Sequence, residues 1–407
     1  MKNIVIVGGG AAGMAAAITA AKAVGGAAQI IIAERLERVG KKLLATGNGR
    51  CNLSNACIAP QFYLSKEQKN LEEFLAQMPT ETVTDFFADL GLLCTEREQG
   101  RIYPKCNQAA MVLDLLLFSL RRNNIQVCSD FAVEKISRRR DGFLLTAEDG
   151  RALKADRLLL AAGGKASSAL GADGSGFFLA QSLGHSITPL YPALVPIKTA
   201  NNYFKALKGI RAEVCLHLIC EGRELAAESG EVLFTDYGLS GIPALQLSCY
   251  LQKGSYQLSL DFFPEISKAA LTDMLNQRMA EWGAEPLENF LLGTLAKKIG
   301  YMVMKSQDIA PLSRPVGSLS EQVLARLAGA LKDWRTPVGG TLGFEQAQVT
   351  AGGVPLSEVN AHTMQSECCP DLYLCGELLD AVGFCGGYNL HWAFATGILA
   401  GQAIGKL

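Results

Sequence analysis

An α/β chain with a β-barrel insert and a helical insert is the fold class this sequence predicts, and three stretches carry the prediction. The first is residues 1–34. A β-branched run, 2–7, breaks into Gly8-Gly9-Gly10-Ala11-Ala12-Gly13, continues as an Ala-rich helix to Val24, and returns as a strand at 29–33 closed by Glu34. The second is the apolar run 156–162, ending in Gly163-Gly164. The third is 372–375, followed by Gly376-Glu377, Asp380 and Gly386-Gly387 before a small-residue helix over 390–404. Short runs this apolar read as strands buried on both faces, as in a parallel sheet covered by helices.

The first stretch has the strand, glycine turn, helix, strand and acid of a Rossmann-type dinucleotide-binding unit. Gly8 permits the tight turn, Gly10 leaves the backbone open to a pyrophosphate, and Gly13 lets the helix lie close on the sheet. Ala11 and Ala12 open a helix whose free N–H groups and dipole favour phosphate. Glu34 follows Gly13 by about twenty positions, where a carboxylate can accept two ribose hydroxyls. A glycine-rich turn without a ligand is the plain alternative, but it leaves the register of all five parts unexplained.

Composition narrows the function. The 407 residues are 49% hydrophobic and 19% charged, as in an ordinary folded enzyme, and leave room for two or three domains. A net charge of −1 and a pI of about 6.5 supply no basic field for nucleic acid. Arg138-Arg139-Arg140, followed by Asp141-Gly142, reads as a solvated hairpin turn. Three glycines interrupt the apolar N-terminus, which argues against a signal peptide, and no window of ~18 uninterrupted apolar residues suggests a membrane span. A cytoplasmic protein is expected. Twelve cysteines without a CxxC, beside four histidines, predict reduced thiols, no disulfide framework and no metal site.

Between the three stretches, Gly40, Gly47 and Gly49 shape a loop that carries Lys41, Lys42 and Arg50. It reads as a cofactor loop, the alternative being an exposed basic turn. Helices are predicted at 67–77, 81–90 and 108–122, and a small strand group at 125–128, 132–137, 142–147 and 151–154. The run Gly171-Ala172-Asp173-Gly174-Ser175-Gly176 lacks a preceding strand and has its glycines in the wrong order for a nucleotide turn. Pro189, Pro192 and Pro196 mark a boundary. Beyond it, strands at 211–221, 223–227, 231–235 and 255–262 predict a barrel, with a helix at 239–251. Amphipathic helices at 267–282, 295–305 and 320–334 predict a helical cap, and strands resume around 340–350.

With those stretches in place, the sequence resembles the BaiN/RdsA family of bacterial NAD(P)/FAD-dependent oxidoreductases, two-dinucleotide-binding-domain flavoproteins. The resemblance runs the whole chain. It rests on 8–13 with Glu34, on 47–55 (GNGRCNLSN), 160–164, 349–354, and 376–397 (GELLDAVGFCGGYNLHWAFATG). It implies a Rossmann-type FAD-binding domain from both chain ends, at 1–188 and 348–407. A β-barrel insert would span 189–263 with a return strand at 335–347, and a helical domain 264–334. It places the adenosine ribose on Glu34, Arg35 near the adenine, and Val133 against it. Further FAD contacts would fall on Lys42, Leu43, Gly49, Arg50, Cys51, Asn52, Ala162, Gly163, Gly376, Glu377, Asp380, Gly387, Tyr388, Asn389 and Leu390. Two positions depart from the family pattern, Asp236 where His is frequent and His391 where Gln is frequent. Relatives reduce conjugated steroid ketones in bile-acid metabolism or oxidise small amino ketones.

The chemistry expected is hydride transfer through the flavin, with the protein supplying orientation and electrostatics. NADPH or NADH would have to approach the flavin directly, because no second GxGxxG stands in proper context. The predicted substrate is a small molecule, a conjugated ketone such as a steroid or bile-acid intermediate. His391 and Tyr237, with Tyr103, are the candidates for a substrate-side acid, since His titrates near neutrality. For His391 the alternative is a hydrogen-bonded helix residue. Competing readings are an amine or aminoketone oxidase, a dithiol reductase using Cys51 and Cys57, and an RNA-modifying flavoprotein.

Overall fold

A computed structural model describes residues 2–200 and 202–406; Met1 and Leu407, which bound the predicted domains, and Asn201 lie outside the described residues. The chain divides into two compact units, Met1–Ala193 with Phe344–Leu407, and Leu194–Gly343.

The first unit is built on a five-stranded sheet in the order Leu372–Leu374, Arg157–Leu160, β1 (Lys2–Val7), β2 (Ala28–Ala33), Gln126–Cys128. Every pairing is parallel. Val7 stands beside Ala33 and Leu160, and Leu160 beside Leu374, so the strands finish together along one edge. Ile4, Val5, Ile6 and Leu158 to Leu160 are buried on both faces, which is why these runs carry no alternation. Helix α1 (Ala11–Val24) packs against the last helix, Tyr388–Ile404. The strand group expected after residue 125 divides. Val133–Arg139, Gly142–Ala147 and Ala152–Ala155 form an antiparallel sheet, whereas Gln126–Cys128 joins the parallel sheet beside β2. It is a short, largely exposed edge strand held by its pairing with Ile31 to Ala33, and the Gln29 amide donates to the Gln126 side chain at 2.8 Å.

The second unit is a closed six-stranded barrel, Ile197–Thr199, Gly238–Ser240, Arg223–Phe234, Arg211–Cys220, Tyr256–Asp261 and Trp334–Thr341, whose last strand returns to the first. Val214, Leu216 and Leu218 alternate into its core with Leu258 and Leu260. The helices Lys268–Glu281, Lys297–Ser306 and Glu321–Lys332 share that core, and Ser267 and Ser320 cap two of them. Three expectations change here. The strands expected at 223–227 and 231–235 are one, because Gly230, at φ 143°, stays paired with Val214 through the small-residue middle. The helix expected to reach Trp334 stops at Lys332, and Trp334 opens the closing strand. The helix expected over 239–251 narrows to Ile242–Ser248, since Gly241, at φ 98°, turns the chain out of Gly238–Ser240.

Candidate functional site

The parallel edge sets four turns side by side. Gly8, at φ 102°, leaves β1 by donating its N–H to Ala33 O at 2.8 Å, and a Cβ there would stand 2.4 Å from Ala161 O. At Gly13 a Cβ would stand 1.9 Å from Gly8 O, so helix α1 rests on its own turn. Gly10 differs. Its backbone is extended, and a Cβ would meet no described protein atom within 4 Å. Glu34, at the tip of β2, is buried and accepts Gly9 N–H on Oε2 at 2.8 Å and Leu36 N–H on Oε1 at 2.9 Å. An ionised carboxylate offers about four lone-pair sites, so two backbone bonds leave capacity for two hydroxyls.

These turns line a cleft of about 880 Å³, counted with its open mouth. Gly8, Gly10, Glu34, Arg35, Lys42, Val133, Ala162, Gly163 and Glu377, all predicted, contribute to its wall. Lys42 Nζ donates to Glu377 Oε2 at 2.8 Å and to Ala166 O at 3.2 Å. Glu377 Oε1 accepts Thr350 N–H at 3.0 Å, and Thr350 Oγ1 accepts the N–H groups of Lys165 and Ala166. Gly164 makes this possible, because its Cβ would stand 2.5 Å from Thr350 Oγ1. Arg35 pairs with Asp173. Burial would raise the Asp173 carboxyl, but Arg35 and the Ser175 N–H outweigh it and hold it below the usual carboxylate range.

A second group of predicted residues gathers where the last helix begins, outside the lining of that cleft. Gly47, Asn48, Gly49 and Cys51 all have φ between 54° and 79° and fold the loop tightly. Arg50 lies over the Tyr103 ring at 5.4 Å, with Arg97 also over it at 5.5 Å. Asn52 Oδ1 is buried and has no hydrogen-bond partner among the described residues. It lies 2.9 Å from where a Gly387 Cβ would stand. A buried carbonyl oxygen left so is costly, and a donor on a bound group would satisfy it. Tyr388 stacks on Phe62 at 4.8 Å, and burial pushes its hydroxyl up to about 12. Asn389 clasps Gly383 by both backbone groups, and Gly376 N–H donates to Thr396. Asp380 is buried, which raises its carboxyl above the usual range although Thr188 donates to it. Leu43 and Ala12 are buried and Ala11 opens α1 beside Gly10, while Leu390 is half-buried in the last helix.

The structure corrects His391. Its ring is wholly buried, 2.8 Å from Ser54 Oγ through Nδ1 and 2.9 Å from Met78 O through Nε2. Met78 O can only accept, so Nε2 carries the hydrogen and Nδ1 accepts from Ser54. Burial lowers its pKa to about 4, so the ring is neutral near pH 7 and its one N–H hydrogen is spent on Met78 O inside the fold. It is the hydrogen-bonded helix residue, not a substrate-side acid. The structure lends the dithiol reading no support: Cys51 is fully buried with its thiol pushed up to about 12, whereas Cys57 is exposed. Tyr103 is buried, with the Arg50 and Arg97 guanidiniums over its ring. Tyr237 belongs to the barrel unit, where its carbonyl accepts Thr199 N–H, and is not among the residues gathered here.

Sequence reasoning assigned no role to Thr350 or Asp173. Thr350 lay inside a family motif, and Asp173 two residues before a helix is an Asx-turn signal that could have been used. Outside the cleft, His185 Nδ1 lies 2.8 Å from Glu358 and within reach of Cys368. Ser366 Oγ already accepts the N–H groups of Cys368 and Cys369, so it donates to His185 Nε2. The ring therefore keeps its hydrogen on Nδ1 and gives it to Glu358, a closed relay with no free ligand nitrogen.

Residues 2–403 match the family described as HI0933-like protein Rossmann domain. The 3-dehydro-bile acid delta(4,6)-reductase of Clostridium scindens is 40% identical over 408 residues, covering 99% of each chain. The ribosomal RNA dihydrouridine synthase of Escherichia coli is 29% identical and covers 97% of this chain and 96% of its own. Among solved structures, 3-ketosteroid-delta4-(5alpha)-dehydrogenase from Rhodococcus jostii RHA1 superposes with a TM-score of 0.50 at 16% identity, covering 100% of this chain and 97% of that one. This last likeness speaks to the fold. No helix among the described residues is long and apolar enough to cross a membrane.

Proposed function

The chain belongs to the HI0933-like Rossmann family, and from that premise we propose that it is an FAD-dependent oxidoreductase that reduces a carbon–carbon double bond conjugated to a carbonyl. The observation that carries the reading is the full-length likeness to a bile-acid reductase, combined with a cleft whose free valences fit a dinucleotide. Glu34 keeps lone pairs for the ribose hydroxyls, and Gly10 with the start of α1 leaves room and N–H groups for a diphosphate. Lys42 carries positive charge in the same wall, and Asn52 Oδ1 waits for a donor. When bound, FAD supplies hydride transfer that no side chain of this protein can perform. NADPH or NADH is the proposed reductant and the cytoplasm the proposed location. Tyr237 is proposed as the substrate-side acid, its hydroxyl lending a proton to the substrate.

Two ribosomal RNA dihydrouridine synthases among the relatives oppose the expectation of no nucleic-acid partner. Uracil also has a double bond conjugated to a carbonyl, so both substrates fall within one reaction class. The net charge of −1 favours the small molecule. The test begins with the visible spectrum of the purified protein, where bound flavin absorption is expected. NADPH or NADH added without oxygen should bleach it, and a steroid 4-en-3-one should restore it. Restoration by a uridine-containing ribosomal RNA fragment and not by the steroid would transfer the proposal to RNA. A yellow protein that neither nicotinamide bleaches would favour the amine oxidase reading, and one that cannot take up FAD would sink the reading altogether.

A further inference from the structure

The run Gly171-Ala172-Asp173-Gly174-Ser175-Gly176 has no part in the reading above, yet the structure builds it into the cleft. Gly171, Ala172, Asp173 and Ser175 line the same cavity as Glu34 and Arg35. Gly171 and Gly174 have φ of 102° and 87°, so the loop turns at both ends through conformations that suit glycine. A Cβ on Gly171 would stand 2.8 Å from Leu36 Cδ1, which shows how closely this loop lies on the segment after β2. Asp173 then divides its two oxygens. Oδ1 accepts Ser175 N–H at 3.0 Å and is fixed to its own helix, while Oδ2 takes the guanidinium of Arg35.

Arg35 directly follows the carboxylate that would hold the ribose. The pair therefore ties together two wall segments of one cleft that are far apart in the chain. The side chains are 35% and 40% exposed, so the bond sits toward solvent and not at the floor. Exposed pairs of this kind hold weakly and are screened by salt. That strength is too small to matter greatly to folding but sufficient to alter how often a cleft opens.

We propose that Arg35 and Asp173 form a latch between two walls of this cleft that slows release of a bound adenine dinucleotide. The proposal rests on the FAD reading above. Its test is the rate at which FAD leaves the loaded protein, followed as the rise in free-flavin fluorescence on dilution into an excess of an unrelated apoflavoprotein. Asp173→Asn keeps an oxygen for Ser175 N–H and removes the charge, and is expected to speed release about fivefold. Arg35→Gln should do the same, and the double variant should release no faster than either single one, because each removes the same bond. Salt should speed release from the wild type more steeply than from the double variant, which lacks the pair to be screened. Equal release rates in wild type and Asp173→Asn, or single effects that multiply in the double variant, would overturn the latch while leaving FAD binding intact. A wild-type protein that never takes up FAD would overturn both readings, so the two failures are told apart.

Discussion

Two glycine-rich corners of the Rossmann unit look alike in sequence and differ in what fills them. At the first turn, Gly10 faces open space, with no described protein atom within 4 Å of a Cβ. Along the last helix the glycines face protein. A Cβ on Gly387 would stand 2.3 Å from Ser54 O, on Gly397 2.3 Å from Ala12 O, and on Gly401 2.5 Å from Ala16 O. A missing Cβ can thus make room for a ligand or for a neighbouring backbone. The first kind is a binding feature and the second a packing one, and a motif shows them identically.

The sharpest way to break the comparison is Gly397→Ala. Alanine favours a helix over glycine by about 1 kcal/mol, so an open position would gain stability. Here the added carbon meets the Ala12 carbonyl, a backbone atom that cannot swing aside, and the close crossing of α1 and the last helix must spread. A net loss of about 3 kcal/mol is expected, as for overpacking of a rigid site, read as a lowered urea midpoint. Unchanged or increased stability would mean the two corners do not differ as the distances say.

Legibility followed the same division. The strands 2–7 and 157–160, the helix over 11–24 and the acid at 34 were readable because burial on both faces and a fixed turn each leave a local pattern. The partners were not. Nothing near Glu377 announces that Thr350 N–H and Lys42 hold its two oxygens, since the three meet only through the sheet's shared edge. Gly230 disguised one strand as two, and Trp334 continued an amphipathic rhythm beyond the helix that produced it. His391 misled for another reason. Its titration in water says nothing of its value when Ser54 and Met78 enclose it.

That enclosure sharpens the packed side of the comparison through pH. The folded pKa of His391, about 4, lies below its ordinary value of about 6.5. Between the two, the unfolded chain binds the proton and the folded chain does not, so stability falls as pH drops through that window and levels off below it. The loss would reach about 3 kcal/mol. His391→Gln should flatten the pH dependence between pH 6.5 and 4 relative to wild type, in paired urea titrations. Equal slopes would mean that the ring accepts its proton without leaving the core.

The open side is tested most gently by Gly10→Ala. The φ of −78° and ψ of −169° at this position suit any L residue, and the new methyl meets no protein atom. Stability without cofactor should therefore stay within about 0.5 kcal/mol of wild type. If the space is reserved for a diphosphate lying on the backbone, the same methyl stands where phosphate oxygens must approach, and FAD affinity should fall about tenfold, or about 1.4 kcal/mol. Fluorescence titration of FAD into the two apoproteins measures it. An unaltered affinity with unaltered stability would make Gly10 an incidental glycine in a turn shaped by Gly8 and Gly13, and would move the search for the diphosphate away from this helix.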